Sequence, residues 1–553
     1  MAPHPVLATV EILRMIFEFC DKRTLRRCVS VSHQWSEISL EVLWYEVDDP
    51  RRLFGLLHPS WKTSPSTHLR TSILPQARDV FLSYARRIRK LRFKNEPHNW
   101  KQVLYLTNCI VASGHFLPRL TTLEWVPSAD MFLEGLTDAS IVLMAPSLTE
   151  LIIGTQNNSS TRIQPSVWEG YIDAMKVRLP ALEKLEIRIN SLFDEGFESA
   201  SWQAILDMAS AIPTLQSLVL PMLPEYDLSI FPQLGVLPSL KKLRFEPLHL
   251  DCGFMDFSNE SYSTHTICLG AFSMLEVMDI HVSYGVMIDV FSSRNPIPTL
   301  TSFKLSSDTI ECADDIKEVV SALVAIAPSI KKVALGHRLN FDVHQDDDPE
   351  TCRYQTVHAT DFDPLLSCTL VEFTFQHRRP LQVGSNDIAR FASAWPSIEV
   401  LALNHTPPEG SPLLPLAALL PLAKLCPRLV DLRLPLCAHS GDVPLASNDW
   451  SSWATTYTPL PQSEIFIPFK RLEALTVPIL AVHNTNSVVA RFLSRLLPPR
   501  CRIYGQMAPS LIQEYARTEL SINTLLMPLR EQENEMARMR REIQDLKSRL
   551  GLP

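Results

Sequence analysis

Glycine is scarce in this chain, with 16 residues against 42 prolines in 553, so proline is the regular punctuation and glycine turns are rare. The few glycines supply no phosphate-cradling loop, and G-x-x-x-x-G-K-[ST], G-x-S-x-G, H-E-x-x-H and the EF-hand loop are all missing. Those absences remove the commonest sequence signatures of enzymes, and no catalytic residue is named. A catalytic set assembled only by the fold is the remaining route to an enzyme. Among the 11 cysteines, spread from Cys20 to Cys501, no C-x-x-C pair occurs, and Cys and His never fall at structural-zinc spacing. No metal or cofactor is therefore expected, and reduced thiols of an intracellular protein, cytoplasmic or nuclear, fit better than a disulfide framework. Long apolar runs are missing too. The most apolar, Leu413 to Ala423, contains Pro415 and Pro421 and is far short of the ~20 residues that span a bilayer. Near the N-terminus Glu11, Arg14 and Glu18 interrupt the apolar residues, so no secretory segment is read there and no membrane partner is expected. A net charge of -8 gives no broad field for phosphate backbones, so nucleic acid is not an expected partner.

What remains is a globular composition, 46% hydrophobic and 20% charged, in a chain too long for one ordinary core. Several domains or an elongated repeat array must share it. Over residues 6–47 the pattern predicts three short helices. In the first, Val10, Leu13, Phe17 and Cys20 share one face, and Ile12, Met15, Ile16 and Phe19 form a second. A surface helix ordinarily buries a single stripe, so a helix with two must lie centrally or offer one to another body. Asp21 is placed to cap a second helix through Leu25, Cys28 and Val29. Ser32 is placed to cap a third carrying Trp35, Ile38, Val42, Leu43 and Trp44.

The order Glu11-Ile12-Leu13, Ile16-Phe17, Leu25, Val29-Ser30-Val31-Ser32, Trp35, Leu43-Trp44 resembles the F-box motif, over less than a tenth of the chain. Two positions depart from it: Ala8-Thr9 replaces the usual Leu-Pro pair, with Pro5 and Leu7 nearby, and Ser32 replaces the usual cysteine. The resemblance implies docking on the Skp-type adaptor of a cullin-RING ubiquitin ligase. The adaptor-facing residues it marks are Leu7, Glu11, Ile12, Leu13, Ile16, Phe17, Leu25, Val29, Val31, Trp35, Leu43 and Trp44. The rest of the chain would then select a protein substrate. The competing reading is a helical cap that covers the first repeat and binds nothing.

After a linker over 48–79, the phrase P-x-L-x-x-[LF]-x-[LFIW] recurs. It begins at Pro118, Pro146, Pro180, Pro213, Pro238, Pro298, Pro328, Pro396 and Pro427, and four copies without proline end at Phe93, Ile280, Phe375 and Val477. These thirteen units predict an α/β solenoid over 80–505, its parallel sheet lined by helices such as Trp202 to Ile212, Ile316 to Ala327 and Ile388 to Trp395. Proline ends each helix because it drives the preceding residue out of the helical region. Spacing near 32 residues, and the repeat's usual terminal asparagine in register only at Asn190, make this similar to irregular leucine-rich repeats, a horseshoe of the kind attached to F-boxes in mushroom-forming fungi.

The register puts Lys90, Arg92, Lys94, Glu124, Lys184, Glu186, Arg188, Lys242, Arg244, Glu246, Lys304, Lys332, Glu372, Asp431 and Arg433 on the sheet face away from the helices. Alternating signs suit a protein partner or a plain solvated face. Three insertions interrupt the array: 247–270, 337–366 with Asp346-Asp347-Asp348, and 436–467, where Trp450, Trp453 and Tyr457 make a candidate target contact. A heptad pattern from Ile522 through Leu525, Leu529, Gln532, Met536, Met539, Ile543, Leu546 and Leu550 predicts a C-terminal helix over 520–551. Self-pairing as a coiled coil and folding back on the solenoid both remain open for it.

Overall fold

The computed structural model describes residues 9–49, 52–53, 55–57, 75–93, 116–126, 140–154, 165–188, 198–221, 230–246, 272–292, 295–307, 310–337, 356–405, 407, 411–437, 467–478, 492–493, 495–506, 535–536 and 538–546. They fall into two compact units, Met1–Val277 and Met278–Pro553.

The first unit opens with three helices, α1 (Val10–Glu18), α2 (Lys22–Cys28) and α3 (His33–Tyr45). The two caps form as expected: the Asp21 carboxylate accepts from the Thr24 amide at 2.8 Å and the Ser32 hydroxyl from the Trp35 amide at 3.2 Å. Leu13, Phe17, Leu25, Cys28 and Ile38 close a small core, with Trp35 edge-on to Phe17 at 5.3 Å. Val10, expected to join Leu13 and Phe17, is 41% exposed instead, because it stands in the first turn, beyond the reach of the other two helices.

From α3 the chain passes directly into strand β1 (Glu46–Val47), which pairs in parallel with β2 (Lys90–Phe93). Before β2 lies α4 (Pro75–Ala85); it begins inside the stretch expected to be linker. Then follow β3 (Thr122–Trp125), β4 (Glu150–Gly154), β5 (Lys184–Arg188), β6 (Ser217–Pro221) and β7 (Lys242–Glu246), each parallel to the last. Between them run helices Pro165–Arg178, Glu198–Ala211 and Ile230–Gly235.

The second unit repeats the plan with β8 (Val277–His281), β9 (Ser302–Ser307), β10 (Lys332–His337), β12 (Glu372–Gln376), β14 (Val400–Leu403), β16 (Asp431–Arg433), β18 (Ala474–Pro478) and β19 (Arg502–Gln506). From β9 onward each strand is parallel to the next of this series. Two small parallel pairs flank them, β11 (Val357–His358) with β13 (Leu381–Gln382), and β15 (Leu414–Pro415) with β17 (Leu436–Cys437). Helices Ala313–Ile326, Ser385–Ala394 and Leu419–Leu425 precede β10, β14 and β16.

All thirteen phrases fold as strands, and the fold is an α/β solenoid in each unit. Its cause is visible in one repeat. In Pro146-Ser147-Leu148-Thr149-Glu150-Leu151-Ile152-Ile153, proline ends the helix, and the Ser147 hydroxyl donates to the Leu120 carbonyl of the previous repeat at 2.8 Å. Thr214 makes the same bond to Leu182 at 2.8 Å. The amides of Thr149 and Glu150 both donate to the Thr121 carbonyl, and the next repeat copies this with Glu183 and Lys184 on Thr149. Strands bonded in this way are pinned to their neighbours at entry, which opposes the one-residue slip that would turn their side chains over. Within strands burial alternates, so Leu123 and Trp125, Leu151 and Ile153, and Leu185 and Ile187 are all 3% exposed or less. At about 1.5–3 kcal/mol per fully buried apolar side chain, these repeated pairs are the main term holding the layers together.

Gly154, at the end of β4, has a packing reason. A Cβ there would stand 2.7 Å from the Arg188 Cβ and 2.8 Å from its carbonyl oxygen, closer than carbon tolerates. The close approach of β4 and β5 at this end depends on that atom being missing.

Candidate functional site

Three surfaces are built by this fold. The first is the strand face turned away from the helices. In the first unit, register aligns Lys90, Thr122, Glu150, Lys184, Ser217 and Lys242 in one row, and Arg92, Glu124, Ile152, Glu186, Val219 and Arg244 in another. Charges two residues apart on one strand point the same way, and neighbouring strands bring opposite signs within reach. Arg92 lies 3.2 Å from Glu46 and 3.4 Å from Glu124, Lys184 lies 4.0 Å from Glu150, and Arg188 pairs with Glu186. In the second unit Lys304 meets Asp279 at 3.3 Å, Lys332 meets Glu372 at 3.3 Å, and Arg433 meets Asp431 at 2.6 Å. These pairs set opposite charges side by side on one strand face.

The second surface is the outer side of the helical module. Met15, Ile16 and Phe19 on α1 are 55%, 42% and 92% exposed, and Val31 is 60% exposed. Arg14, next to Met15 in sequence, pairs with Glu41 of α3.

The adaptor-facing set marked by the sequence divides here. Leu13, Phe17 and Leu25 are buried inside the module, where they hold its helices together. Trp35 is partly buried against the same core. Glu11, Ile16 and Val31 are outward and Ile12 half-buried, while Val29, Leu43 and Trp44 are half-buried along a groove on another side. Leu7, Lys94, Asn190, Asp346 to Asp348, Trp450, Trp453 and Tyr457 lie outside the described residues, as does the side chain of Glu246. Of the insertion 337–366, residues 357–367 are not loop: they form β11 and a 3-10 helix (Ala359–Ser367) with Phe362 and Leu365 buried.

The third surface is internal, and no phrase signalled it. Past the last apolar residue of β9, β10 and β12 stand Ser307, His337 and His377, with Ser307 opposite His337 in register. All three are buried, as is Asn404 beyond β14. The Asn404 side chain accepts from the His377 amide at 2.9 Å and donates to the Arg379 carbonyl at 2.9 Å, with its backbone at φ 39°. The Arg379 amide donates to His377 Nδ1 at 3.0 Å. The side chains of His377 and Asn404 thus bond the turn that follows β12. Burial first, then His337 and the arginines 379 and 378, lowers the His377 pKa to about 3; burial and Arg433 lower that of His405 to about 4, against Asp431. Both imidazoles are therefore neutral at pH 7. Among the described residues no group of His, Cys, Asp and Glu is placed to hold a metal ion, and no helix is long and apolar enough to cross a membrane.

No family model matches the chain, and no curated protein matches it. Among solved structures it is similar to an internalin from Listeria monocytogenes, with TM-score 0.33 and 13% identity over 83% of this chain and 95% of that one. The leucine-rich repeat-containing protein LegL7 from Legionella pneumophila gives a TM-score of 0.27 and 13% identity, over 69% and 91% of the two chains. A chain of the yeast Rad7 and Elc1 complex gives 0.29 and 14%, over 68% and 86%. The repeat architecture itself stands on the strand register and burial described above.

Proposed function

We propose that this chain is a substrate-recognition adaptor of an SCF-type ubiquitin ligase, its helical module docking on a Skp-type adaptor bound to a cullin and its strand face holding a target protein. The observation that carries this reading is α1, whose second apolar stripe is turned outward and ends in a phenylalanine with 92% of its surface exposed. A helix that only caps a repeat has no use for that stripe. Sequence supports the same reading through the F-box-like order of residues, with Ala8-Thr9 at the place of its Leu-Pro pair. The test mixes the purified chain with a Skp-family adaptor. A complex at micromolar concentration that Phe19→Ser and Ile16→Glu abolish is the expected result; no complex with the unaltered chain overturns it.

One observation favours a second reading, a leucine-rich-repeat scaffold without ligase association. α3 runs into β1 without a break, Trp44 packs on Tyr84 at 4.7 Å, and Arg87 pairs with Glu37, so the module also closes the first repeat. Intact folding together with failure to bind the adaptor would select this reading. At the other end, residues 538–546 are helical and Met539, Ile543 and Leu546 are 45–54% exposed. That exposure favours pairing with a second copy over folding back. Sedimentation with and without residues 522–553 tests it, and an unchanged monomer removes the idea.

A further inference from the structure

Beside α2, on a side of the module to which α1 contributes no residue, lies a groove of about 390 Å³. Val29, Leu40, Leu43, Trp44, Val47 and Leu56 give it an apolar lining. Lys22, Arg26 and Arg52 provide three cations against one carboxylate, Glu46. That carboxylate lies 3.2 Å from Arg92, and Lys22 is held by Asp48 at 3.2 Å. The guanidinium groups of Arg26 and Arg52 form no ion pair among the described residues, and Arg23 and Arg27 add charge to the same exposed helix. The groove therefore joins an apolar lining to two planar cations without an ion-pair partner among the described residues, and its volume is within the range of ligand clefts.

We propose that this groove is a second docking site, separate from the α1 stripe, for a short acidic peptide segment that seats a bulky aliphatic side chain against Trp44 and presents carboxylates to Arg26 and Arg52. Guanidinium and carboxylate match as bidentate partners, which favours an acidic occupant over a neutral one and rejects a basic one. Trp44 also packs on Tyr84 of α4 at 4.7 Å, so an occupant would touch the ring that joins module to array. The site does not depend on the ubiquitin-ligase reading.

The experiment measures fluorescence anisotropy of labelled synthetic peptides with the full chain. Three probes are used: one of glutamate and leucine, one with lysine replacing glutamate, and one with serine replacing leucine. The first is expected to bind in the micromolar range and the other two not. Arg26→Glu with Arg52→Glu, both at exposed positions, should weaken the first probe about tenfold or more and admit the lysine probe. Phe19→Ser should leave binding unchanged. Absence of binding, equal binding of the acidic and basic probes, indifference to the double substitution, or loss with Phe19→Ser alone would each overturn the proposal. Circular dichroism of the variants checks that the helices persist.

Discussion

The helical module and the repeat array dispose of their apolar side chains differently. In the array each strand carries the same inward pair, and the layers on either side cover it, so Leu123, Leu151, Leu185 and Leu218 are 1% exposed or less. The module has three helices and, among the described residues, no such neighbour on its outer side: Leu13 and Phe17 vanish into its core while Ile16 and Phe19 stay outside. Repetition makes burial collective, whereas a lone three-helix unit has more apolar surface than it can hide. An apolar side chain inside the array thus carries stability, and one on the outer stripe of α1 is free to carry recognition.

Neighbouring phenylalanines make the sharpest test of that contrast. Phe17→Ala should cost about 3–5 kcal/mol of the module's stability, and Phe19→Ala close to nothing, by urea denaturation followed through tryptophan fluorescence. Equal losses would mean that the outer stripe is covered and the contrast false.

A pH series probes the array in particular. His377 and His405 have folded pKa values pushed down to about 3 and about 4, below the ordinary 6.5 of the unfolded chain. Above that ordinary value neither state binds the proton; as pH falls below it only the unfolded chain does. Stability should therefore drop by about 1.4 kcal/mol per pH unit for each histidine, until the folded values are reached. Urea midpoints that match at pH 7 and pH 5 would show that these rings titrate in the open.

Smaller effects are expected at single contacts. Gly154→Ala places a carbon against Arg188 and should cost about 1–3 kcal/mol by overpacking, read as a lowered melting temperature; an unchanged one would mean the strands separate freely there. Lys332→Ala removes a solvent-exposed pair with Glu372 and should change stability by less than ~1 kcal/mol. A larger loss would give the charge ladder a structural weight that its exposure argues against.

The strands were the most legible part of the chain. Apolar residues spaced for one sheet face are a local feature repeated thirteen times, and in nine of those copies a proline stops the preceding segment. Strands β1 and β19 escaped because Glu46-Val47 and Arg502 to Gln506 follow no such phrase; their partners supply the edge they pair with. The charged strand face was readable from period two alone. The buried polar side chains past the strands were not, because Ser307, His337, His377 and Asn404 are of three residue types and become a series only when the strands stack. Within the module, the two stripes of α1 were visible as a pattern, but which side chains faced inward was not: Val10 was expected with Leu13 and Phe17, and Leu13, Phe17 and Leu25 were expected at a partner.

Periodicity, charge balance and missing motifs by themselves determined a strand-and-helix repeat with a helical start, because each depends on residues within one turn or one strand of each other. Only the tertiary structure decided which face of α1 is left to water, which carboxylate neutralises which cation, and that a groove lined by Arg26 and Arg52 opens beside α2. Those outcomes depend on atoms distant in sequence, whose meeting is set by packing and not by local pattern.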